Sequence, residues 1–188
     1  MIDFFKRYPS KIYTRLCLII GLIVFIGIYS YILKLFQVFE FSTEEFNSVW
    51  LSFDAVQYRG LIQTVIQSDQ TTVFKNVFVF NIISITAFMI AFYSLSVMIA
   101  RHVELTSKLY KVAFIFPAFP FLIAFFDIVP SIFIIATSIS TLTIFPYWLA
   151  YIMSGGYVIR VILLYLLILW FIISLIWFLI RKLRTLKR

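Results

Sequence analysis

Two charged residues, Asp127 and Arg160, lie within long apolar runs of the sequence. An ionisable side chain inside a membrane-spanning helix is costly, so it is expected to pair with another group or to serve a function. Asn81 and Ser84 add an amide and a hydroxyl to another apolar run. These four side chains can form an ion pair with hydrogen-bonding neighbours, or they can line a small polar pocket.

The spacing of these residues places them at a similar depth. Asp127 lies 16 residues after Lys111, which at 1.5 Å per residue is about 24 Å from the inner boundary of its span. Arg160 lies 21 residues before Arg181, which is about 31 Å from the same boundary. Asn81 lies about 7 Å below the outer boundary. All three are therefore predicted in the outer third of the bilayer, within reach of one another.

Two interpretations of this cluster stay open. In the first, Asp127 and Arg160 clamp two helices together, and Asn81 adds a hydrogen bond worth about 0.6–2 kcal/mol. In the second, the cluster lines a pocket that is open to the outer face and binds a headgroup or small ligand. Pro130 is predicted to free a backbone carbonyl one turn back and to kink the helix that carries Asp127, and either interpretation accommodates that kink.

Few other residues are candidates for chemistry. His102 is the single histidine, and no cysteine or paired carboxylate accompanies it at the spacing of metal ligands. Cys17 is the single cysteine and lies in an apolar run, where a packing role is expected. The sequence has no glycine-rich phosphate loop and no G-x-S-x-G or H-E-x-x-H motif. We therefore predict no catalytic residue, no metal and no cofactor.

The composition indicates which elements position the cluster. Of 188 residues, 63% are hydrophobic and 13% are charged, whereas a soluble domain has about 45–50% apolar and about 25% charged residues. A bilayer core of about 30 Å needs about 20 apolar residues in a helix. Apolar runs of that length predict four spans, at about 16–36, 77–100, 112–136 and 158–180.

The distribution of charge supports an even number of spans. The formal net charge of +8 includes balances of +3 in residues 1–15, −3 in 37–76, +2 in 101–111 and +5 in the tail, 181–188. Basic segments are retained on the cytoplasmic side. We therefore predict an all-α, single-domain bundle of four transmembrane helices in the cell (inner) membrane, with both termini cytoplasmic.

The outer segment, residues 37–76, is predicted to form an amphipathic helical hairpin. Ser42 and Glu45 have the spacing of a capping box, and Asp54 has the position of a second N-cap. The alternative is an outer β-sheet, as in claudins, because Thr71 to Val79 is rich in β-forming residues.

Residues 137–157 form a second uncharged segment on the outer side. They include Tyr147, Trp148, Tyr151 and Tyr157, and tyrosine and tryptophan are enriched where membrane meets water. We expect this segment to lie on the membrane or to dip into it, ahead of the fourth span.

Three short stretches carry a resemblance to a family. They are FSTEEF at 41–46, QYRGL at 57–61 and FFDIVPSI at 125–132. Over residues 41–146 the chain resembles small four-span bacterial membrane proteins of uncharacterised function, whose third span carries Asp-apolar-x-Glu-Asn. Asp127 matches that motif, whereas Pro130 and Ser131 stand in place of the Glu and Asn. The resemblance implies a four-span fold and no particular chemistry.

Three functional hypotheses follow. The first is a non-enzymatic accessory, assembly or immunity-type subunit that acts through a membrane protein partner or a second copy of itself. The second is a protein that binds a lipid or small apolar ligand through the outer pocket around Asp127. The third is a lipid-modifying enzyme or isomerase at the outer face. The basic tail is expected to contact anionic headgroups of the bilayer, and no nucleic-acid partner is predicted.

Overall fold

The fold is described from a computed structural model that covers residues 10–39, 42–103, 112–136 and 146–186. Every regular element in these ranges is helical. The basic amino-terminal residues, the 101–111 loop beyond residue 103, residues 137–145 and the last two tail residues lie outside the described ranges. The helices are α1 (Lys11–Phe36), α2 (Thr43–Leu51), α3 (Ala55–Gln67), α4 (Thr71–His102), α5 (Phe119–Ala136, preceded by a 3-10 helix at Phe116–Ala118) and α6 (Tyr147–Leu186).

Four of these helices are long and apolar enough to cross a membrane. The candidate spans are Lys11–Phe36, Thr71–His102, Phe116–Ala136 and Tyr147–Ile180. The predicted all-α bundle of four long apolar helices is therefore confirmed, and it is compatible with an integral membrane protein.

The four long helices alternate in direction. The ring of Phe25 in α1 lies 5.5 Å from that of Phe88 in α4, and Tyr31 lies 5.0 Å from Phe80. Residue numbers therefore rise along α1 as they fall along α4. The closest backbone packing joins α1 to α4, α4 to α5 and α5 to α6. We call the end that carries α2 and α3 the hairpin end, and the opposite end the tail end.

A close approach between backbones holds α1 on α4. A Cβ atom added to Gly21 would lie 2.9 Å from the carbonyl oxygen of Ala87 and 3.0 Å from the Cβ of Ala91. Small residues at such crossings let helix backbones come close enough for extensive van der Waals contact. Ala87 and Ala91, four residues apart, supply the small surface on the α4 side.

The predicted hairpin is present as α2 and α3. The side chain of Ser42 accepts a hydrogen bond from the amide of Glu45, and the Glu45 carboxylate accepts one from the amide of Ser42. The carboxylate of Asp54 caps α3 by accepting from the amide of Val56. The β-rich sequence from Thr71 onwards begins α4 instead of a strand, so the alternative of an outer sheet is wrong for these residues.

The largest cluster of buried apolar residues lies at the hairpin end. It joins the hairpin to all four long helices, and includes Ile32 of α1, Trp50 of α2, Tyr58 of α3, Phe74 and Phe78 of α4, Ile134 of α5 and Met153 of α6. The hairpin is therefore packed into the bundle and completes its core at this end.

Helix α6 begins earlier than predicted. Residues 147–157, expected as a separate segment at the membrane surface, are the first turns of a continuous helix that runs to Leu186. No proline interrupts this stretch, and its glycine pair lies against other helices: Gly155 faces the ring of Phe53, and Gly156 faces α5. The aromatic residues Tyr147, Trp148 and Tyr151 are exposed, as residues at a membrane boundary would be.

Candidate functional site

A polar cavity of about 230 Å³ lies directly beneath α2, between the long helices. Each of α1, α2, α4, α5 and α6 contributes to its wall. Its lining includes the polar side chains of Asn47, Asn81, Asp127, Ser131 and Arg160. Aromatic residues make up much of the remainder, and two of them, Tyr29 and Tyr157, also carry hydroxyl groups. The volume is below the roughly 300–1,000 Å³ of a typical ligand pocket, so it suits a small polar group better than a whole drug-sized molecule.

Asp127 and Arg160 form an ion pair in this cavity. The Nη1 atom of Arg160 lies 2.6 Å from Oδ1 of Asp127, and the two side chains are 26% and 14% exposed. The guanidinium carbon also lies 4.6 Å from the centre of the Tyr157 ring, one turn earlier on α6. The ring face and the carboxylate thus compensate the positive charge on two sides. The ion pair between Asp127 and Arg160 also joins α5 to α6.

A second chain of hydrogen bonds joins α4 to α5. The amide nitrogen of Asn81 donates to the hydroxyl of Ser131 at 3.2 Å, and that hydroxyl donates to the backbone carbonyl of Asp127 at 2.9 Å. Asn81 therefore lies beside the ion pair. Ser84 is buried in α4 but is absent from the cavity lining, so of the four predicted site residues it alone lies outside the cavity wall.

The hairpin supplies the upper wall of the cavity. The hydroxyl of Tyr157 donates to Oδ1 of Asn47 on α2 at 3.3 Å. This bond leaves the amide NH₂ of Asn47 available at the cavity. The polar site is thus completed by a residue from outside the four spans.

Pro130 has a consequence for packing at the site. Because proline has no N–H, the carbonyl of Phe126 loses its helical donor. Gly156 of α6 lies against this carbonyl, and a Cβ atom added there would be 3.4 Å from the oxygen. The small residue lets α6 approach α5 closely at the turn where Arg160 meets Asp127.

Ser154 fastens the hairpin to α6. Its buried hydroxyl accepts a hydrogen bond from the amide of Phe53 at 3.1 Å and lies 3.2 Å from the hydroxyl of Tyr58. Phe53 has a φ of 53°, in the left-handed region that non-glycine residues rarely adopt. Burial raises the pKa of Tyr58 to about 12, and the hydrogen bond with Ser154 acts in the opposite direction. Tyr58 therefore stays neutral at physiological pH.

Comparison with known proteins gives no relative to set beside this geometry. No family model, curated protein or solved structure matches the chain. The resemblance to small four-span bacterial membrane proteins stays a prediction.

Sequence reasoning missed four residues of this end of the molecule. Ser131 follows Asp127 by four residues and so shares its helix face, a spacing visible in the sequence. Tyr157 precedes Arg160 by three residues, but its aromatic neighbours in the sequence favour an interfacial belt. Asn47 and Ser154 have no signal in the sequence, because each acts across a contact between distant parts of the chain.

A larger apolar groove lies between α4 and α6 at the tail end. Its volume is about 410 Å³, and residues such as Leu95, Ile99, Trp170 and Phe171 line it. His102 is at its edge and hydrogen-bonds through Nδ1 to the carbonyl of Met98 in its own helix. Among the described residues, no group of three or more histidine, cysteine, aspartate or glutamate side chains has the arrangement of a metal site.

Proposed function

We propose that the protein binds a membrane amphiphile whose polar head occupies the cavity beneath α2. The observation that carries this proposal is the composition of the cavity wall: an ion pair and two amides face a space of about 230 Å³ that also has apolar walls. A polar head can satisfy the charged and amide groups, while its acyl chains remain in the bilayer.

The open side of the bundle supports entry from the membrane. Among the described residues, α1 and α6 make no extensive backbone contact with each other, yet residues of both line the cavity. An amphiphile diffusing in the bilayer therefore has a lateral route to the polar groups between these two helices. A soluble ligand would have to pass the packed hairpin.

The ion pair has a structural role as well as the proposed binding role. Removing one partner of a carboxylate–guanidinium pair in a low-dielectric site costs several kcal/mol of stability, because the remaining charge is left unpaired. The matched test therefore removes both charges together. Asp127→Asn combined with Arg160→Gln keeps the shape of both side chains and leaves no unpaired charge.

The experiment is native mass spectrometry of protein purified in mild detergent. The wild-type protein is expected to carry about one lipid per chain, and the double variant to retain about tenfold less, a difference of about 1.4 kcal/mol. Arg59→Gln combined with Asp69→Asn makes the same chemical changes outside the cavity wall and should keep the lipid. Wild-type protein that carries no lipid, and takes up none from mixed lipid–detergent micelles, contradicts the proposal.

A second candidate function is that of an accessory, assembly or immunity-type subunit within a membrane complex. It is favoured by the low burial of α1 and α6, since only 11% of the most apolar stretch of each helix is buried inside the bundle. A helical partner or a second copy can cover these faces. Purification in mild detergent with no partner in near-stoichiometric amount, and as a monomer, contradicts this function and leaves the first intact.

A further inference from the structure

The cavity beneath α2 contains one formal positive charge and one formal negative charge. Asp127 and Arg160 are the only charged side chains in its wall among the described residues. A ligand with a single negative charge would approach Arg160 but would be repelled by Asp127, which lies 2.6 Å from the guanidinium. A ligand with both charges compensates both side chains. The charge balance therefore favours a zwitterion.

The cavity wall also offers both hydrogen-bond donors and hydrogen-bond acceptors. The guanidinium of Arg160 has five N–H donors, and Asp127 is its single hydrogen-bond partner among the described residues. The amide of Asn47 adds two donors that no described residue accepts. Among the described residues, the acceptors without a hydrogen-bond donor include the second carboxylate oxygen of Asp127 and the side-chain oxygen of Asn81. The first set matches a phosphate, and the second matches an ammonium group that can donate.

Aromatic residues line the remaining wall. They include Phe46 and Trp50 of α2, Phe78 of α4 and Tyr157 of α6. The faces of such rings attract cations, and Arg160 already uses the face of Tyr157 in this way. An ammonium group in the cavity would thus have a carboxylate to accept its hydrogen bonds and aromatic rings around it.

We propose that the cavity binds a phosphoethanolamine group, with the phosphate on Arg160 and Asn47 and the primary ammonium on Asp127 and Asn81. This inference rests on the proposed function for its source, which is the headgroup of a phosphatidylethanolamine lipid. A primary ammonium fits better than a trimethylammonium because only the former donates hydrogen bonds to the two oxygen acceptors. Phosphatidylglycerol lacks the positive charge that compensates Asp127.

The test uses the delipidated wild-type protein and lipids that share the same acyl chains. Native mass spectrometry measures complexes with phosphatidylethanolamine, its mono- and dimethyl derivatives, phosphatidylcholine and phosphatidylglycerol, supplied in equal amounts. Phosphatidylethanolamine is expected to bind about tenfold more than phosphatidylcholine or phosphatidylglycerol, with a stepwise decrease for each added methyl group. Equal binding of the five lipids, or stronger binding of phosphatidylglycerol, overturns the inference while the proposed function stands.

Single variants test the assignment of Asp127 to the ammonium end of the headgroup. Asp127→Asn is expected to bring the ratio of phosphatidylethanolamine to phosphatidylcholine binding close to one. Asp127→Glu is expected to restore part of the preference for phosphatidylethanolamine. Asp69→Asn, the same change at an exposed position, should leave the preference unchanged. If Asp127→Asn fails to fold, the methylation series on the wild-type protein decides the question by itself.

Competition with a soluble headgroup separates the two sources of the ligand. Glycerophosphoethanolamine at the same concentration is expected to displace little of the bound lipid, because it lacks acyl chains. Binding of the soluble compound without binding of the lipid supports the headgroup chemistry and overturns the bilayer source, and with it the proposed function. Binding of neither compound overturns the inference and the proposed function together.

Discussion

The two ends of the bundle differ in what fills the space between the helices. At the hairpin end a cavity of about 230 Å³ is lined by an ion pair, amides and aromatic rings. At the tail end a groove of about 410 Å³ is almost entirely apolar. The larger space has the less specific chemistry, because acyl chains of any lipid can fill an apolar groove beside a bilayer. The smaller one constrains the charge and hydrogen bonding of any molecule that enters it.

The two ends also differ in how completely they are held. At the hairpin end, Ser154, Asn47 and Tyr157 join the hairpin to α6 across about 100 residues of sequence. At the tail end, Trp170 stacks on Phe116 at 4.4 Å, while its buried indole N–H has no hydrogen-bond partner among the described residues. At the hairpin end, these hydrogen bonds act together with the largest apolar cluster. At the tail end, the ring packing is accompanied by one longer bond, from Arg101 to the hydroxyl of Thr14 at 3.5 Å.

The largest effect is expected from reversing the charge at the hairpin end. Asp127→Arg places two cations side by side and should lower the free energy of unfolding by about 3–5 kcal/mol. The yield of folded protein should fall severely as a result. Adding Arg160→Asp restores opposite charges and should recover most of that loss. Detergent-solubilised yield and thermal unfolding measure both. A double variant no better than the single one shows that the pair contributes little to folding.

The contact that fixes α1 on α4 comes next. Gly21→Leu drives a side chain into the backbone of α4 and should lower the free energy of unfolding by about 2–3 kcal/mol. Gly27→Leu is the matched control, since nothing lies within 4 Å of a Cβ atom there. Thermal unfolding of the two variants in the same detergent compares them. If both variants lose the same stability, the loss comes from replacing a glycine within α1 and not from crowding against Ala87 and Ala91.

A smaller effect is expected from loosening the hairpin. Ser154→Ala removes the acceptor for the Phe53 amide and the partner of the Tyr58 hydroxyl, at a cost of about 1–3 kcal/mol. Hydrogen exchange should become faster at the Phe53 amide. Ser48→Ala serves as the control, because it removes an exposed hydroxyl that donates to the carbonyl of Glu45 within α2. Unchanged exchange at Phe53 would mean that the hairpin is held by its apolar core alone.

The smallest effect separates the two ends directly. Trp170→Phe keeps the stacking on Phe116 and removes a buried N–H that has no partner among the described residues. That gain offsets part of the loss of packed ring surface, so stability should fall by less than about 1 kcal/mol. Trp50→Phe, at the hairpin end, removes ring surface packed between Phe46 and Phe78 and should cost about 1–2 kcal/mol. Thermal unfolding compares the pair. A larger loss at Trp170 than at Trp50 would mean that ring packing at the tail end contributes more to stability than ring packing at the hairpin end.

Much of the fold follows from local patterns in the sequence. The four long helices follow from apolar runs, because a bilayer core sets the length that a helix must cover. The hairpin follows from Ser42, Glu45 and Asp54, whose capping bonds are local and need no distant partner. The start of α6 was missed, since tyrosine and tryptophan at a membrane boundary look alike whether the segment lies along the surface or begins a span.

The sequence by itself predicted a similar height for Asp127, Arg160 and Asn81 along their helices, because residue spacing converts directly into height along a helix. Only tertiary packing decided which face of each helix lies toward its neighbours. Gly21 against Ala87 and Gly156 against the carbonyl of Phe126 set two of those approaches. The roles of Asn47 and Ser154 depend entirely on such contacts, since hydrogen bonds between residues about 100 positions apart have no periodicity to reveal them.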